Sequence, residues 1–185
     1  MANETIYETC NVWVIARKDG KIISAQEGHN VWTNTGREYS CLVKSMNYLG
    51  QRFRNDSIQY IGLGNGTQIE SASVSRLVNP IAYDGNVWLK KIENTLTTFP
   101  DNGSRLSIRY SAIFGPNTFN SDGGVAYISE CGLFTNGDPI DFSTEPGRDR
   151  SLSNAYLQSP VAYHTFEPIP KTSNIEIEIM WELRH

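Results

Sequence analysis

The stretch that decides the fold is NIEIEIMWELR, residues 174–184. Every second residue in it is apolar: these are Ile175, Ile177, Ile179, Trp181 and Leu183. The residues of the opposite face are mostly charged: these include Glu176, Glu178, Glu182 and Arg184. A period of two places the apolar residues on one face of a β-strand, whereas a helix would scatter them around its circumference. We therefore predict a long strand with one face in a core and the other against water or a partner.

Strand patterns also fill much of the preceding sequence. Segments rich in β-branched and aromatic residues occur at 10–17, 58–63, 87–92, 105–114 and 125–134. The first of these has apolar residues on both faces, so we expect it to lie between two layers. Lys18-Asp19-Gly20-Lys21 then predicts a hairpin, since glycine tolerates the positive φ that such turns require. Clusters of Gly, Asn, Asp and Ser mark turns at 83–86, 101–104, 121–124 and 136–139.

One helix is predicted near residues 35–47. Thr35 and Glu38 have the spacing of a capping box, and apolar residues follow at helical spacing. A second short helical turn is possible over residues 71–78, before Pro80. The predicted fold is all-β, mainly an antiparallel β-sandwich, jelly-roll-like, with one short α-helix. We expect an N-terminal arm at residues 1–9 and a single domain at 10–185, with a long polar loop at about 142–159.

Composition excludes several classes of protein. The net charge is −4, and the Lys and Arg residues are scattered, so no nucleic-acid-binding face is expected. No apolar run approaches the ~20 residues of a membrane span. The polar N-terminus does not resemble a secretory signal, so we expect synthesis in a cytoplasm. Cys10, Cys41 and Cys131 are widely spaced and are expected to be small buried hydrophobic residues rather than metal ligands.

No motif predicts an enzyme, and we expect no catalytic residue, cofactor or metal. Gly62-Leu63-Gly64-Asn65-Gly66 follows a strand but lacks the spacing and the following helix of a nucleotide loop, so a tight turn is favoured. None of His29, His164 and His185 lies in a recognised catalytic motif.

Paired carboxylates leave one enzymatic alternative open. Glu176 with Glu178, or Asp138 with Asp141, could flank a sugar as the two acids of a glycosidase do. The polar face of a strand is the favoured interpretation of the glutamates. Loss of polysaccharide turnover in variants of Glu176 or Glu178 would identify such an enzyme.

Three parts of the sequence resemble small structural proteins of tailed bacteriophages. These parts are GHNVWTNTGRE at 28–38, YIGLGNGT at 60–67, and ISECGLF at 128–134 together with AYHTF at 162–166, PKT at 170–172 and the final strand. Tail-fibre anchor domains and capsid decoration proteins carry motifs in this order. Glu130 lies within an apolar strand and needs a partner, for which we expect Lys171 or Arg37. Gly132 would allow close backbone approach or a bulge.

The resemblance implies a virion protein without enzymatic activity. Tail fibres continue into a shaft, whereas this sequence ends at His185, which favours a capsid decoration (cement) protein. Its expected partners are the major capsid protein and itself, as a dimer or trimer, with no nucleic acid and no membrane. The alternative is a tail, neck or baseplate protein that anchors a fibre or binds host-surface carbohydrate. Candidate contact surfaces are the arm, the loop at 142–159, and the side chains of Trp88, Tyr156, Arg148 and Arg150.

Overall fold

The fold is known from a computed structural model that describes residues 9–45, 58–83, 86–98, 107–116, 126–135, 150–153 and 159–184. At residues 9–10, 41–45, 82–83, 86–88, 98 and 150–153 the description is limited to the backbone.

The described residues form twelve β-strands and one α-helix. The strands are β1 (Thr9–Lys18), β2 (Lys21–His29), β3 (Val31–Trp32), β4 (Ile58–Gly64), β5 (Ala82–Tyr83), β6 (Asn86–Lys91), β7 (Asn94–Thr98), β8 (Ser107–Phe114), β9 (Ala126–Thr135), β10 (Arg150–Ser153), β11 (Ala162–Lys171) and β12 (Ile175–Arg184). The helix is α1 (Asn34–Ser45). The predicted all-β class with one short helix is confirmed, while the jelly-roll-like connectivity stays a prediction.

One sheet has five strands in the order β2-β1-β12-β8-β7, all antiparallel. Strand β12 lies at its centre, which explains the length and regularity of the alternating pattern. The five predicted core residues of β12 are all buried, and Trp181 is fully enclosed. The predicted hairpin joins β1 to β2, with positive φ of 51° at Asp19 and 73° at Gly20. Two consecutive positive φ values suit the right-handed twist of the paired strands.

The second sheet has seven strands: β10-β6-β4-β9-β11-β3 in order, with β5 paired to β6. In β11 the register with β9 shifts between Thr165 and Ile169. Pro168 lies within this shift, and a proline has no N–H to give to a ladder. Short pairing of β3 with Ala162 and Tyr163 completes this side of the sheet.

The two sheets pack face to face around a single core. Val14, Ile179 and Trp181 of the five-stranded sheet join Ile61 and Leu133 of the seven-stranded sheet in one cluster of buried side chains. Burial of apolar side chains such as these is the main favourable contribution to the free energy of folding. Strand β1 is not enclosed on both faces as predicted, because Trp13 and Ile15 on its other side are only partly buried.

A second cluster lies on the opposite face of the seven-stranded sheet. Residues 65–80 connect β4 to β5, and Val74 and Leu77 of this segment pack with buried residues of the strands: Tyr60, Leu89, Phe134 and Tyr163. Of the short turn predicted over 71–78, the structure has one hydrogen-bonded turn, in which Val74 N donates to the Ser71 carbonyl at 3.2 Å, and no helix. We call residues 65–80 the covering segment.

Helix α1 begins one residue earlier than expected, and its N-cap is Thr33 rather than Thr35. The Thr33 hydroxyl accepts a hydrogen bond from Gly36 N at 3.0 Å, as an N-cap does. A side chain at Gly36 would collide with the Val161 carbonyl and the Trp32 ring, so this glycine lets the helix start pack closely. Tyr39 packs against the core from the helix.

Several predictions fall wholly or partly outside the described residues. These are the arm at 1–8, the turns at 84–85, 101–104, 121–124 and 136–139, and residues 142–149 and 154–158 of the predicted loop. Within that loop, residues 150–153 form strand β10, which pairs with β6.

Candidate functional site

Two of the motifs noted in the sequence meet on neighbouring strands. Strands β4 and β9 pair antiparallel, with Gly62 opposite Gly132 and Gly64 opposite Glu130. The register is regular at Gly132, where a side chain would crowd Pro160 and Phe134, so this glycine provides close approach rather than a bulge. The Glu130 side chain therefore lies over the glycine-rich end of β4.

Glu130 is fully buried, with 0% of its surface exposed. Its carboxylate accepts hydrogen bonds from Val78 N at 3.0 Å, Asn79 N at 2.9 Å and the Tyr163 hydroxyl at 2.7 Å. Hydrogen bonds to a charged acceptor are the strong kind, and three of them satisfy a carboxylate that burial alone would destabilise. Burial raises the pKa of Tyr163, and the hydrogen bond to Glu130 raises this pKa further.

The partners predicted for Glu130 are wrong. The Lys171 ammonium donates instead to the Gly115 carbonyl at 2.9 Å and the Thr172 carbonyl at 3.3 Å. Arg37 is exposed on α1. Burial lowers the pKa of Lys171 to about 8, against a smaller opposite effect from Glu176. The sequence showed that Glu130 needed a partner, but backbone donors leave no trace in a sequence.

Gly64 and Gly66 leave the space that the carboxylate fills. A Cβ atom at Gly64 would collide with Glu130 Oε1, and one at Gly66 would collide with the whole carboxylate. Next to Glu130, the Ser129 hydroxyl donates to the Gly66 carbonyl at 2.8 Å. The glycine-rich motif thus wraps a carboxylate of the same chain, and that negative charge is unfavourable for a phosphate at this position.

A second carboxylate fixes the covering segment from the opposite direction. Glu70 belongs to this segment, and its Oε1 accepts hydrogen bonds from Thr165 N at 2.7 Å and Thr165 Oγ1 at 3.1 Å. The same oxygen lies 2.8 Å from His164 Nδ1. Burial works to raise the pKa of Glu70, but the contacts with His164 and Thr165 outweigh it and lower this pKa.

His164 is 7% exposed, and its ring lies next to Gly28 of β2. A Cβ atom at Gly28 would lie 2.7 Å from His164 Nε2. The imidazole therefore fills the place of a side chain at Gly28 and holds the two sheets together. Its Nδ1 is close to Glu70 without good hydrogen-bond alignment, so the pair is best described as two neighbouring groups that attract when the ring is protonated.

A groove of about 480 Å³ opens beside His164, between β2 and residues 164–168 of β11. Its walls carry carboxylate, amide, hydroxyl and aromatic groups from Gln26, Glu27, Thr67, His164, Phe166 and Glu167. The Gln26 amide is already engaged, since it donates to the Glu167 carbonyl at 3.0 Å and accepts from Glu167 N at 2.9 Å. The Phe166 ring is stacked on His164 at 6.0 Å between centroids. Such walls suit a neutral, hydroxyl-rich ligand.

The outer face of the five-stranded sheet has an apolar centre. The strand registers place Trp13 opposite Met180, and Ile15 and Ile113 on either side of Glu178. All four of these apolar side chains are partly exposed. The Arg109 guanidinium lies 5.5 Å from the Trp13 ring centroid, a cation–π distance.

Ion pairs flank this apolar centre at both ends. Arg17 contacts Glu178 at 2.7 Å and Glu176 at 3.4 Å. At the other end, Glu182 contacts Arg184 at 3.1 Å and Arg109 at 3.4 Å. Burial works to raise the pKa of Glu182, but the arginines outweigh it and lower this pKa. The acidic face predicted for the last strand is thus neutralised by arginines of the same sheet. We call this surface, apolar centre and ion pairs together, the outer face.

The remaining predicted contact residues lie elsewhere. Trp88 and Arg150 belong to neighbouring strands, with Trp88 opposite Ser151 and Arg150 opposite Leu89, and only their backbone is described. Tyr156 and Arg148 lie outside the described residues. Of the predicted cysteines, Cys131 is described; it is fully buried, and burial raises its pKa, as expected for a hydrophobic role.

Sequence reasoning missed Glu70, His164, Arg17 and Arg109 as members of sites. An isolated His or Glu has many possible partners, and strand register decides which of them it meets. Among the described residues there is no group of three His, Cys, Asp or Glu side chains that could hold a metal ion. Nor does the described part of the chain contain a helix that could span a membrane. No protein-family model, curated protein or solved structure matches this chain.

Proposed function

We propose that this protein is a non-enzymatic structural protein of a tailed-phage particle, which binds the outer surface of the capsid and stabilises the shell. The observation that carries the proposal is the outer face. It combines an apolar centre, formed by Trp13, Ile15, Ile113 and Met180, with ion pairs at its ends. An apolar centre within a polar rim is the composition of many protein–protein interfaces.

A rigid support favours binding through this face. Its side chains project from three adjacent strands, β1, β12 and β8, and β12 is paired on both sides. Side chains held by a sheet lose little conformational freedom on binding, so more of the contact energy remains as affinity. The phage-like motifs support the same proposal, because Glu130 and Thr165, which lie in them, hold the covering segment on the opposite side of the sandwich.

The charge of the outer face specifies the kind of partner surface. Three carboxylates, Glu176, Glu178 and Glu182, are paired with three guanidinium groups, those of Arg17, Arg109 and Arg184. Glu27, which lies opposite Trp13 on the edge strand β2, adds one further carboxylate. A nearly neutral face is expected to bind an apolar, weakly charged patch on the major capsid protein. Binding should therefore depend little on salt, unlike binding between oppositely charged patches.

Stabilisation of the capsid follows from mass action. A protein that binds the assembled shell but not free capsid subunits shifts the equilibrium towards the shell. Copy number in purified particles of the phage that encodes the chain tests this role. A number comparable to that of the capsid subunits supports decoration, whereas a few copies at one vertex or tail would contradict it.

A matched pair of variants tests the surface itself. Ile113→Lys places a charge in the apolar centre of the outer face, while Ile69→Lys makes the same change at a residue that is 89% exposed on the covering segment. We expect Ile113→Lys to abolish co-sedimentation with capsids that lack the protein, and Ile69→Lys to leave it unchanged. Thermal melting of both variants separates lost binding from lost folding. Equal binding by the two variants would refute the role of the outer face.

The groove beside His164 favours a second candidate, a tail or baseplate protein that binds host-surface carbohydrate. The Glu167 carboxylate can accept hydrogen bonds from sugar hydroxyls, and the Phe166 ring offers an apolar surface. Calorimetric titration with oligosaccharides from the host surface tests this. Phe166→Ala should abolish binding, and Tyr127→Ala, which truncates an aromatic side chain that is 56% exposed elsewhere, should not. Absence of heat for the wild-type protein removes this candidate.

A further inference from the structure

The two edge strands of the five-stranded sheet differ in how they are protected. At one edge, β2 carries charged residues at Lys21 and Glu27, and its Gln26 side chain is bound to the backbone of Glu167. At the other edge, β7 has the sequence NTLTT, without a charge, a proline or a register shift. Within the described part of the chain β7 pairs with β8 alone.

The side chains of β7 are also unprotected. Residues 94–97 are all exposed, and Leu96 keeps 56% of its surface in contact with solvent. Charges, prolines and bulges are the usual means by which sheet edges avoid pairing with another chain. Strand β7 has none of these, and its Thr and Leu residues suit an extended, half-buried position.

We propose that β7 is the interface of a homodimer, in which β7 of one protomer pairs antiparallel with β7 of its partner about a two-fold axis at Leu96. The two five-stranded sheets then form one continuous ten-stranded sheet. This register places Leu96 opposite Leu96 of the partner subunit and sets Thr95 against the partner's Thr97. Apolar and threonine pairs across strands are favourable, and a two-fold contact requires a surface that complements itself.

Because β7 carries no charge, it can pair with the same strand of a second protomer. A two-fold axis within a strand brings identical side chains face to face, so any charge at the centre would meet its like. The cross-strand neighbour of Leu96 is Arg109, on β8. In the dimer, Arg109 and the partner's Arg109 are three strand spacings apart, roughly 14 Å, which exceeds the screening length at physiological salt.

The proposal concerns self-association in solution and does not rest on capsid binding. Sedimentation equilibrium of the full chain, at concentrations up to about 1 mM, tests for dimerisation. High concentrations are needed because an interface formed by one short edge strand is small and weak. We expect a reversible monomer–dimer equilibrium for the wild-type protein. A wild-type protein that stays monomeric over this range, or forms a trimer, would overturn the proposal.

Charge variants at the axis test the register. Leu96→Lys and Leu96→Glu should each weaken dimerisation at least about tenfold, because each places like charges opposite each other. An equimolar mixture of the two should recover a dimer that contains one copy of each. Ile69→Lys, a control at another exposed apolar residue, should dimerise as the wild type does.

Two results would contradict the assignment of β7 as the dimer interface. One is a Leu96→Lys variant that dimerises as tightly as the wild type. The other is a mixture of the Lys and Glu variants that stays monomeric. Leu96 is more than half exposed, so both variants should fold, and their circular dichroism and melting temperatures establish this before association is measured.

Discussion

Replacing Glu130 with glutamine should destabilise the protein by about 3 kcal/mol, because the amide cannot accept what the carboxylate accepts. The two backbone donors, Val78 N and Asn79 N, bind different carboxylate oxygens, at 3.0 Å and 2.9 Å. Glutamine has one oxygen, so in either orientation one of these partly buried N–H groups loses its acceptor and faces the NH₂ group instead. Loss of a hydrogen bond to a charged group costs about 1.5–3 kcal/mol, and weakening of the remaining bonds adds to it.

Thermal and denaturant unfolding followed by circular dichroism measure this loss. For a domain of this length, about 3 kcal/mol corresponds to a fall in Tm of roughly 6–12 °C. Tyr163→Phe removes one donor and leaves the carboxylate two others, so it should cost about 1–2 kcal/mol. Glu176→Gln is the surface control, since its ion pair with Arg17 is long, at 3.4 Å, and should contribute less than about 1 kcal/mol.

A double-mutant cycle tests the same site through packing. Gly66→Ala alone should be strongly destabilising, because the new Cβ atom collides with the Glu130 carboxylate. When Glu130→Ala removes that carboxylate, the collision disappears, so the two changes should couple by about 1–3 kcal/mol. A Tm of Glu130→Gln within about 2 °C of the wild type would contradict this role of the carboxylate. Additive losses of stability for Gly66→Ala and Glu130→Ala would contradict it as well.

Three further predictions concern titration and packing. The pKa of Glu70 is lowered in the folded protein. The carboxylate therefore contributes its full stabilisation above the ordinary pKa of 4.5, and this contribution is lost as pH falls through the pKa of the folded state. The Glu70→Gln variant should accordingly show a smaller loss of unfolding free energy at acidic pH. The pKa of Lys171 falls from 10.5 to about 8, so the unfolded chain binds more protons between these values and stability should rise with pH there, a rise that Lys171→Met should remove. Gly28→Ala should lower Tm, because its Cβ meets the His164 ring, and His164→Ala should relieve the effect of Gly28→Ala in the double variant; an unchanged Tm for Gly28→Ala would contradict the packing.

The strands that the sequence predicted best are those whose environment differs between their two faces. Strand β12 packs Ile177 and Ile179 into the core and Glu178 against Arg17, so its alternation is complete. Strand β7, NTLTT, was not predicted, because an exposed edge imposes no hydrophobic alternation. Strand β11 was not predicted either, although phage-like motifs were noted within it, since Pro168 and Pro170 argue against a strand unless the register shifts.

The candidate sites were predictable only in part, and the reason is the nature of their partners. Glu130 stood out as a charge within an apolar strand, and Gly64 and Gly66 stood out as glycines after a strand. Nothing in the sequence joined them, because the connection is the register of β4 with β9. Two of the three donors to Glu130 are backbone N–H groups, which every residue except proline possesses. A side-chain partner was therefore expected where two main-chain donors and Tyr163 serve.

The two sheets differ in how the side that faces away from the core is built, and the difference bears on function. The seven-stranded sheet buries Tyr60 and Phe134 beneath the covering segment, and two carboxylates, those of Glu130 and Glu70, fix that segment to the sheet. Because each carboxylate is satisfied by backbone donors on the opposite element, this side is closed and specific. The five-stranded sheet instead leaves Trp13 partly exposed, with its charges paired within the sheet. Pairing within the sheet lowers the cost of removing those charges from water, since each keeps its partner when the surface is covered. A face prepared in this way loses little on docking, and that asymmetry between the two sides is the physical reason to look for the binding partner on the five-stranded sheet.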